Sequence, residues 1–321
     1  MKSVEVSDLK KHYEDVRAVD GISFSIDQGE VFGFLGPNGA GKTSTINMLT
    51  GLSRPTSGSV KVFGIDGIRD IKRVQQFIGV VPDESNLYDE MDGFENLRFC
   101  ASLYGISKFE RQKRAKSLLE AFRLDEAGTR PYKKYSKGMK RKLTIAAGII
   151  HDPKVLFLDE PTTGIDVESA RQIRTMIAEI KEKGTTVFLT THYIEEAERT
   201  CDQIAFIVDG IIVQSGSINQ LMQYADNEHR ILLALDTGAS LMTQKLSRHF
   251  PDLQVEPSGD KTCTLSSRFP FPLSPILQYL DQQGVSVFEA RQVRPSLEDV
   301  FVKVTGIEAK KLRNDKEGRK K

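Results

Sequence analysis

The fold of this chain is decided by one stretch of its sequence, Gly36-Pro37-Asn38-Gly39-Ala40-Gly41-Lys42-Thr43-Ser44. The apolar run at 31–35 before it predicts a short buried strand, and residues 45–50 after it predict the start of a helix. In that context the pattern G-x-x-x-x-G-K-[ST] indicates a phosphate site rather than an ordinary glycine turn. Glycine lets backbone N–H groups converge on an anion. We expect Lys42 to reach the β- and γ-phosphates of a nucleoside triphosphate and the Thr43 hydroxyl to bind Mg²⁺.

Length and composition limit the class of protein. The 321 residues are enough for about two domains. The chain has 45 basic and 44 acidic residues, a balance that gives no reason to expect nucleic-acid binding. Its amino terminus lacks the apolar core of a signal peptide, and no apolar run is long enough to span a bilayer, so any membrane role requires a partner. Cys100, Cys201 and Cys263 form no C-x-x-C pair and favour reduced thiols in a cytoplasmic protein.

The hydrophobic period divides the chain into segments. Residues 3–30 alternate with period two, which predicts an antiparallel β subdomain. From about 92 to 150 the period becomes helical, which predicts a helical insertion whose apolar stripe is Phe109, Ala115, Leu118, Leu119 and Phe122. We therefore predict a first domain of mixed α/β class over residues 1–225.

The remaining residues predict a smaller second domain. Over 226–306 the order of strands and helices is βαββαβ, the ferredoxin-like arrangement of an α+β domain. A last helix is expected to begin at Pro295. Residues 307–321 are rich in basic side chains and predict a flexible tail, either simply solvated or in contact with anionic lipid headgroups.

Polar side chains end two further predicted strands. Asp159 and Glu160 follow the apolar run at 155–158, and His192 follows the run at 186–191. Acids at the carboxyl ends of parallel strands lie where open α/β sheets bind ligands. We expect the strand of Asp159 to lie beside the phosphate loop, with Asp159 in the Mg²⁺ shell, Glu160 polarising a water and His192 at the same phosphate.

A basic cluster follows Ser136, which is placed to cap a helix that starts with Lys137. The cluster has two interpretations. It is either a solvated helix surface or a helix start that faces an anion.

Taken together, these motifs resemble those of ATP-binding cassette (ABC) ATPase subunits. The resemblance covers roughly the first two-thirds of the chain and runs through Tyr13, the phosphate loop, Ser136-Lys137-Gly138-Met139-Lys140, Leu158-Asp159-Glu160-Pro161, Gly164-Ile165-Asp166 and His192. It implies a P-loop NTPase fold that binds ATP and Mg²⁺. It further implies that Tyr13 stacks on adenine, that Glu160 is the catalytic carboxylate and that His192 is the switch histidine at the γ-phosphate.

The resemblance also implies partners. In this family two cassettes face each other head to tail, so Ser136 and Gly138 would act on the ATP of the opposite subunit, and Asp166 would lie in the loop that contacts it. The physical basis is a helix N-terminus directed at an anion. A homodimer, or a heterodimer with a second ATPase subunit, is implied, together with a transmembrane permease subunit that would hold the chain at the cytoplasmic face of the membrane. The segment 295–301 resembles the end of exporter cassettes, which implies export of a hydrophobic or drug-like compound.

Two positions depart from the family pattern. The usual signature L-S-G-G-Q is Tyr135-Ser136-Lys137-Gly138-Met139 here, and Lys137 either adds positive charge near the phosphate or points into solvent. Asp83 replaces the usual Gln, so it can still bind Mg²⁺ through oxygen but adds negative charge. We hypothesise that Asp83 gives a tighter metal contact and slower hydrolysis.

Two other classes of function remain open. One is a soluble ABC ATPase in regulation, translation or repair, although the chain has one cassette, no sustained heptad and no cysteine cluster for iron–sulfur binding. The other is a non-hydrolysing regulatory partner, against which Glu160 and His192 both argue.

Overall fold

The computed structural model describes residues 1–225, 229–293 and 296–307. Within these residues the chain forms two compact units, Met1–Ile218 and Asn219–Lys303, with the last described residues grouped with the first unit. The division therefore falls at residue 218 rather than at the expected 225, because the helix that closes this segment is grouped with the second unit. Asp226, Pro295 and residues 308–321 of the expected tail lie outside the described residues.

The first unit contains two sheets, with helices between their strands. Its elements in chain order are β1 (Lys2–Tyr13), β2 (Val16–Asp27), β3 (Val31–Leu35), α1 (Lys42–Leu49), β4 (Ser57–Val62), β5 (Ile65–Asp66), α2 (Ile71–Val74), β6 (Ile78–Val81), α3 (Gly93–Leu103), α4 (Lys108–Ala121), α5 (Lys137–Ile149), β7 (Val155–Asp159), α6 (Val167–Glu182), β8 (Thr186–Thr191), α7 (Ile194–Thr200), β9 (Gln203–Val208) and β10 (Ile211–Ser217). The expected antiparallel subdomain is a four-stranded sheet with the order β2-β1-β4-β5.

The second sheet positions the site. Its order is β10-β9-β3-β8-β7-β6, and all pairs are parallel except β10 with β9. Every residue of β3, β7 and β8 is buried, as expected for parallel strands covered on both faces. Aromatic rings hold the sheets together, with Phe188 within 6 Å of the rings of Phe24, Phe32, Phe34 and Phe157.

The strand order adds a detail that the sequence does not give. β8 lies between β3 and β7, the strand that ends in Asp159. Asp159 lies beside the phosphate loop, since α1 begins at this edge of the sheet and presents Thr43 to it. Strand order in a parallel sheet depends on how the crossover helices pack, and the local sequence does not specify it.

The helical insertion is present as α3, α4 and α5. Each of the three begins with a side-chain cap, in which Asp92, Ser107 and Ser136 accept from backbone N–H groups. One member of the predicted apolar stripe is misplaced, because Phe109 is 78% exposed whereas Ala115, Leu119 and Phe122 are buried. Phe109 lies in the first turn of α4, before that helix packs against its neighbours.

The second unit has the ferredoxin-like topology expected from its element order. Its elements are α8 (Ile218–Ala225), β11 (His229–Leu235), α9 (Ala239–His249), β12 (Gln254–Pro257), β13 (Thr262–Ser267), α10 (Ser274–Gln282), β14 (Val287–Val293) and α11 (Leu297–Thr305). The sheet is antiparallel with the order β12-β13-β11-β14. A separate apolar core lies between this sheet and helices α9 and α10.

Candidate functional site

The phosphate loop connects β3 to α1 and depends on close backbone approaches. Gly41, at the N-cap of α1, has φ +103°, which side chains disfavour. A Cβ there would lie 2.3 Å from the Ala18 carbonyl oxygen, and one at Gly36 would lie 2.2 Å from the Ile207 carbonyl oxygen. These glycines therefore let the loop pack against β2 and β9 while its N–H groups remain at the start of the helix.

Lys42 folds its side chain back over this loop. Its Nζ donates to the carbonyl oxygens of Gly36, at 2.7 Å, and Pro37, at 3.1 Å. The same nitrogen lies 3.3 Å from Glu160 Oε1, and both side chains are buried. The loop thus holds a cation at its centre, next to the carboxylate that ends β7.

Oxygen atoms suited to a hard cation meet beside Lys42. Thr43 Oγ1 donates to Asp159 Oδ2 at 2.9 Å, and Thr190 Oγ1 donates to Asp159 Oδ1 at 2.5 Å. Asp83 lines the same pocket. Across residues 1–225, 229–293 and 296–307 no cluster of three or more His, Cys, Asp or Glu side chains forms a closed metal cage. This donor set fits Mg²⁺, which is usually bound by one or two carboxylates together with substrate phosphates.

Glu160 is held in a strained position. Its φ is +50°, in the left-handed region that non-glycine residues rarely adopt. Its Oε2 accepts from Thr163 Oγ1 at 2.8 Å and lies 2.7 Å from His192 Nδ1. Burial raises the pKa of Glu160, but the hydrogen bond with His192 and the charge of Lys42 outweigh it and bring the pKa to about 2. The carboxylate is therefore ionised at neutral pH.

A pocket of about 400 Å³ joins these groups. It is lined by residues of the β2 hairpin, the phosphate loop, the segments that follow β6 and β7, and the β9–β10 turn, namely Val16, Arg17, Ala18, Asn38, Gly39, Gly41, Lys42, Thr43, Ser44, Asp83, Glu160 and Asp209. Tyr13 does not line this pocket. It pairs with Val16 across the hairpin, is 46% exposed and lies under the Lys11 ammonium. Stacking of Tyr13 on adenine stays a prediction.

The remaining predicted residues lie in a second cluster outside this pocket. Ser136 caps α5 by accepting from the Met139 N–H at 3.2 Å. Asp166 caps α6, and hydrogen bonds from the backbone N–H and hydroxyl of Ser169 lower its pKa. Gly138 packs against the same serine, since a Cβ on Gly138 would lie 2.2 Å from Ser169 Oγ. The fold brings Ser136, Gly138 and Asp166 together, but it does not bring them to the phosphate loop of their own chain.

Three site residues were missed by the sequence analysis. Thr190 donates a hydrogen bond to Asp159, and Thr163 donates one to Glu160. For Thr190, the available signal was the pair of polar residues at 190–191, which ends an apolar strand. The third is Arg141, which is 7% exposed and donates to carbonyl oxygens at the ends of two strands. Arg141 lies in the basic cluster of α5. Nothing in the sequence distinguishes this buried basic residue from the solvated basic residues of that cluster.

Comparisons with known proteins agree with this geometry. Residues 19–163 match the ABC transporter family. The chain is 34% identical over 305 residues to the linearmycin resistance ATP-binding protein LnrL of Bacillus subtilis, covering 94% of this chain and 98% of that protein. This chain belongs to the ABC transporter family. Another relative of this ABC protein is the daunorubicin/doxorubicin resistance ATP-binding protein DrrA of Streptomyces peucetius, 36% identical over 307 residues and covering 95% and 93% of the two chains.

Solved structures support the fold of this ABC subunit. An ATP-binding subunit of an ABC transporter is 30% identical to it, with a TM-score of 0.63, covering 68% of this chain and 92% of that one. The dimeric cassette MJ0796 bound to ADP and Pi has a TM-score of 0.62 and 24% identity, covering 67% and 98%. The predicted fold and enzyme class are confirmed: the protein is an ATP-binding and ATP-hydrolysing subunit of an ABC transporter. In the described part of the chain, no helix has the length and apolar character to cross a bilayer.

Proposed function

We propose that two cassettes close head to tail over ATP, and that this closure drives export of a solute through a separate membrane subunit. The observation that carries the proposal is the division of the predicted site within one chain. Lys42 and Thr43 of the phosphate loop contact Glu160 and Asp159, whereas Ser136 and Gly138 lie together elsewhere. A second chain, identical or related, would supply the missing half by presenting the α5 N-terminus to the phosphates.

Each side chain of the pocket has a role that its contacts support. The Lys42 ammonium would bind the β- and γ-phosphates. Thr43, Asp159 and Asp83 would hold Mg²⁺, which supplies charge stabilisation to the transferring phosphoryl group. With a pKa of about 2, Glu160 is suited to orient and polarise the attacking water rather than to keep its proton. His192 holds Glu160 in place and would contact the γ-phosphate.

A groove beside the nucleotide pocket is our candidate for the contact with the membrane subunit. It has a volume of about 1000 Å³ and is lined by Leu52, Leu103, Tyr104, His151 and other residues of the sheet edge and the helical insertion. The rings of Tyr104 and His151 stack in it with centroids 3.6 Å apart. Pro82 and Glu84 also line the groove and flank Asp83 of the nucleotide pocket, so the segment that carries Asp83 borders both.

The occupant we propose is a cytoplasmic segment of a transmembrane permease. This proposal rests on the functions that the names of the relatives give. They include resistance to linearmycin and to daunorubicin or doxorubicin, and the Nod factor export ATP-binding protein I of Ralstonia nicotianae is 36% identical over 306 residues. We therefore propose export of a hydrophobic or drug-like compound from the cytoplasmic face of the membrane. The second unit would be an accessory dimerisation or regulatory domain.

Fractionation of cells that express the native partners tests this assignment. We expect the wild-type chain in the membrane fraction and Leu103→Glu, which charges the groove, in the soluble fraction. Phe109→Glu is the matched control, because Phe109 is equally apolar and exposed but lies outside the groove. Equal membrane association of the two variants would contradict the docking site. Wild-type chain found with ribosomes instead of membranes would support the soluble alternative.

A further inference from the structure

A buried arginine on α5 lies behind the nucleotide pocket. Arg141 is 7% exposed and stands five positions after Ser136, in the first half of the same helix as the signature residues. A buried guanidinium is costly unless its N–H groups find acceptors. Its neighbour Lys142 is equally buried, but its ammonium donates to a side-chain oxygen, Gln172 Oε1, at 3.3 Å.

The guanidinium of Arg141 binds backbone on two neighbouring strands of the site. Nε donates to the Pro161 carbonyl oxygen at 3.0 Å, and Nη2 donates to that of Asp159. Nη1 donates to the carbonyl oxygens of Pro82 and, at 3.3 Å, of Asp83. The first two acceptors lie at the carboxyl end of β7 and the other two follow β6, and these strands are paired. One planar fork thus joins the residues on either side of Glu160 to the segment that carries Asp83.

The groups around the Arg141 guanidinium influence its charge state. Burial lowers the pKa of Arg141, while the carboxylates of Asp83, Asp159, Glu196 and Glu160 favour its cationic form. The planar fork of arginine can donate in several fixed directions at once, whereas a lysine ammonium is a compact charge on a flexible stem. The contacts therefore require arginine geometry as well as positive charge.

We propose that Arg141 is a positioning residue for ATP hydrolysis, which holds the backbone of Asp83, Asp159 and Glu160 in register with α5. A helix is a stiff connection over the five positions that separate Ser136 from Arg141. The head-to-tail arrangement of the proposed function is the basis of the next inference. In that arrangement, a shift of α5 against the partner's ATP moves Asp83 and Asp159, the carboxylates that would hold Mg²⁺ in its own chain. Contact with one ATP is thereby transmitted to the metal site of the other.

Two substitutions test the positioning role in the full-length chain. Arg141→Lys keeps the charge and loses the fork, and Arg141→Met keeps an apolar stem. For both we expect kcat to fall roughly 10- to 100-fold and the Mg²⁺ concentration for half-maximal hydrolysis to rise roughly tenfold. ATP affinity measured by calorimetry without Mg²⁺ is expected to stay at the wild-type value, while the gain in affinity on adding Mg²⁺ is reduced.

Lys142→Met is the matched control, because it removes an equally buried cation from the next position of α5. We expect it to change the melting temperature but neither kcat nor the Mg²⁺ dependence. The proposal is overturned if both Arg141 variants keep wild-type Mg²⁺ dependence, or if Lys142→Met alters it as much as they do. Failure of the dimer arrangement is recognised separately, because Glu160→Gln would then not dimerise in ATP even with Arg141 intact.

Discussion

The imidazole Nδ1 of His192 lies 2.7 Å from Oε2 of Glu160, and both side chains are buried. The two residues follow the carboxyl ends of adjacent parallel strands, β8 and β7, so the sheet itself sets their separation. The same carboxylate faces Lys42 through its other oxygen. Any change at one of these three residues is therefore expected to alter the electrostatics of the other two.

Replacing His192 tests this coupling. His192→Ala removes the hydrogen bond that lowers the pKa of Glu160, so we expect that pKa to rise and kcat to fall by roughly 10²- to 10⁴-fold. ATP binding is expected to change little, because Lys42 and the phosphate loop are intact. Steady-state hydrolysis from pH 5 to 9 measures the effect. His249→Ala, which changes an exposed histidine of the second unit, is the control, and an equal loss of activity in it would contradict the assignment.

Asp83→Gln tests the departure from the family pattern. Gln keeps one oxygen ligand but removes a negative charge, so we expect weaker Mg²⁺ binding, seen as a higher Mg²⁺ concentration for half-maximal turnover, and hydrolysis as fast as or faster than in the wild type. A titration of turnover against Mg²⁺ concentration separates the two effects. A large loss of turnover in Asp83→Gln would refute the hypothesis that this aspartate slows hydrolysis.

Glu196 provides a test of stability against pH. Its carboxylate is buried and accepts from Thr191 Oγ1, and burial raises its pKa above the ordinary value of 4.5. A raised pKa of an acid contributes stability at low pH that is lost as the pH rises through the folded-state pKa. Glu196→Gln keeps an acceptor for Thr191 and cannot ionise. We expect its melting temperature relative to wild type to increase from pH 5 towards pH 8, and a difference independent of pH would contradict this.

Local motifs made most of the nucleotide pocket predictable. The glycine-rich loop and the acids at 159 and 160 could be identified from the sequence because each directly follows an apolar run that predicts a buried strand. The order of the strands was not readable, since insertion of β8 between β3 and β7 depends on helix packing across the whole sheet. The hairpin places Val16 at the pocket, and stacking of Tyr13 on adenine stays a prediction.

Burial of charged and aromatic side chains was the other source of error. Phe109 belongs to the apolar stripe of α4 by spacing, yet it is exposed because the first turn of that helix has no neighbour covering it. Arg141 shows the reverse case. Its sequence context is basic and polar, and only the carbonyl oxygens at the ends of β6 and β7 explain why it is buried.

The most direct test of the head-to-tail account is complementation between two inactive variants. Lys42→Ala damages the phosphate loop, and Ser136→Asp keeps a residue that can cap α5 while placing negative charge against the partner's phosphate. Each variant alone is expected to be inactive. In an equal mixture, half of the dimers would have one complete site, so about a quarter of wild-type hydrolysis should return.

A mixture of Lys42→Ala with Glu160→Gln is the matched control, because both changes damage the same half of the site and no dimer of them contains a complete one. The account predicts recovery of hydrolysis in the first mixture and none in the second. Active wild-type protein together with no recovery in the first mixture would contradict it.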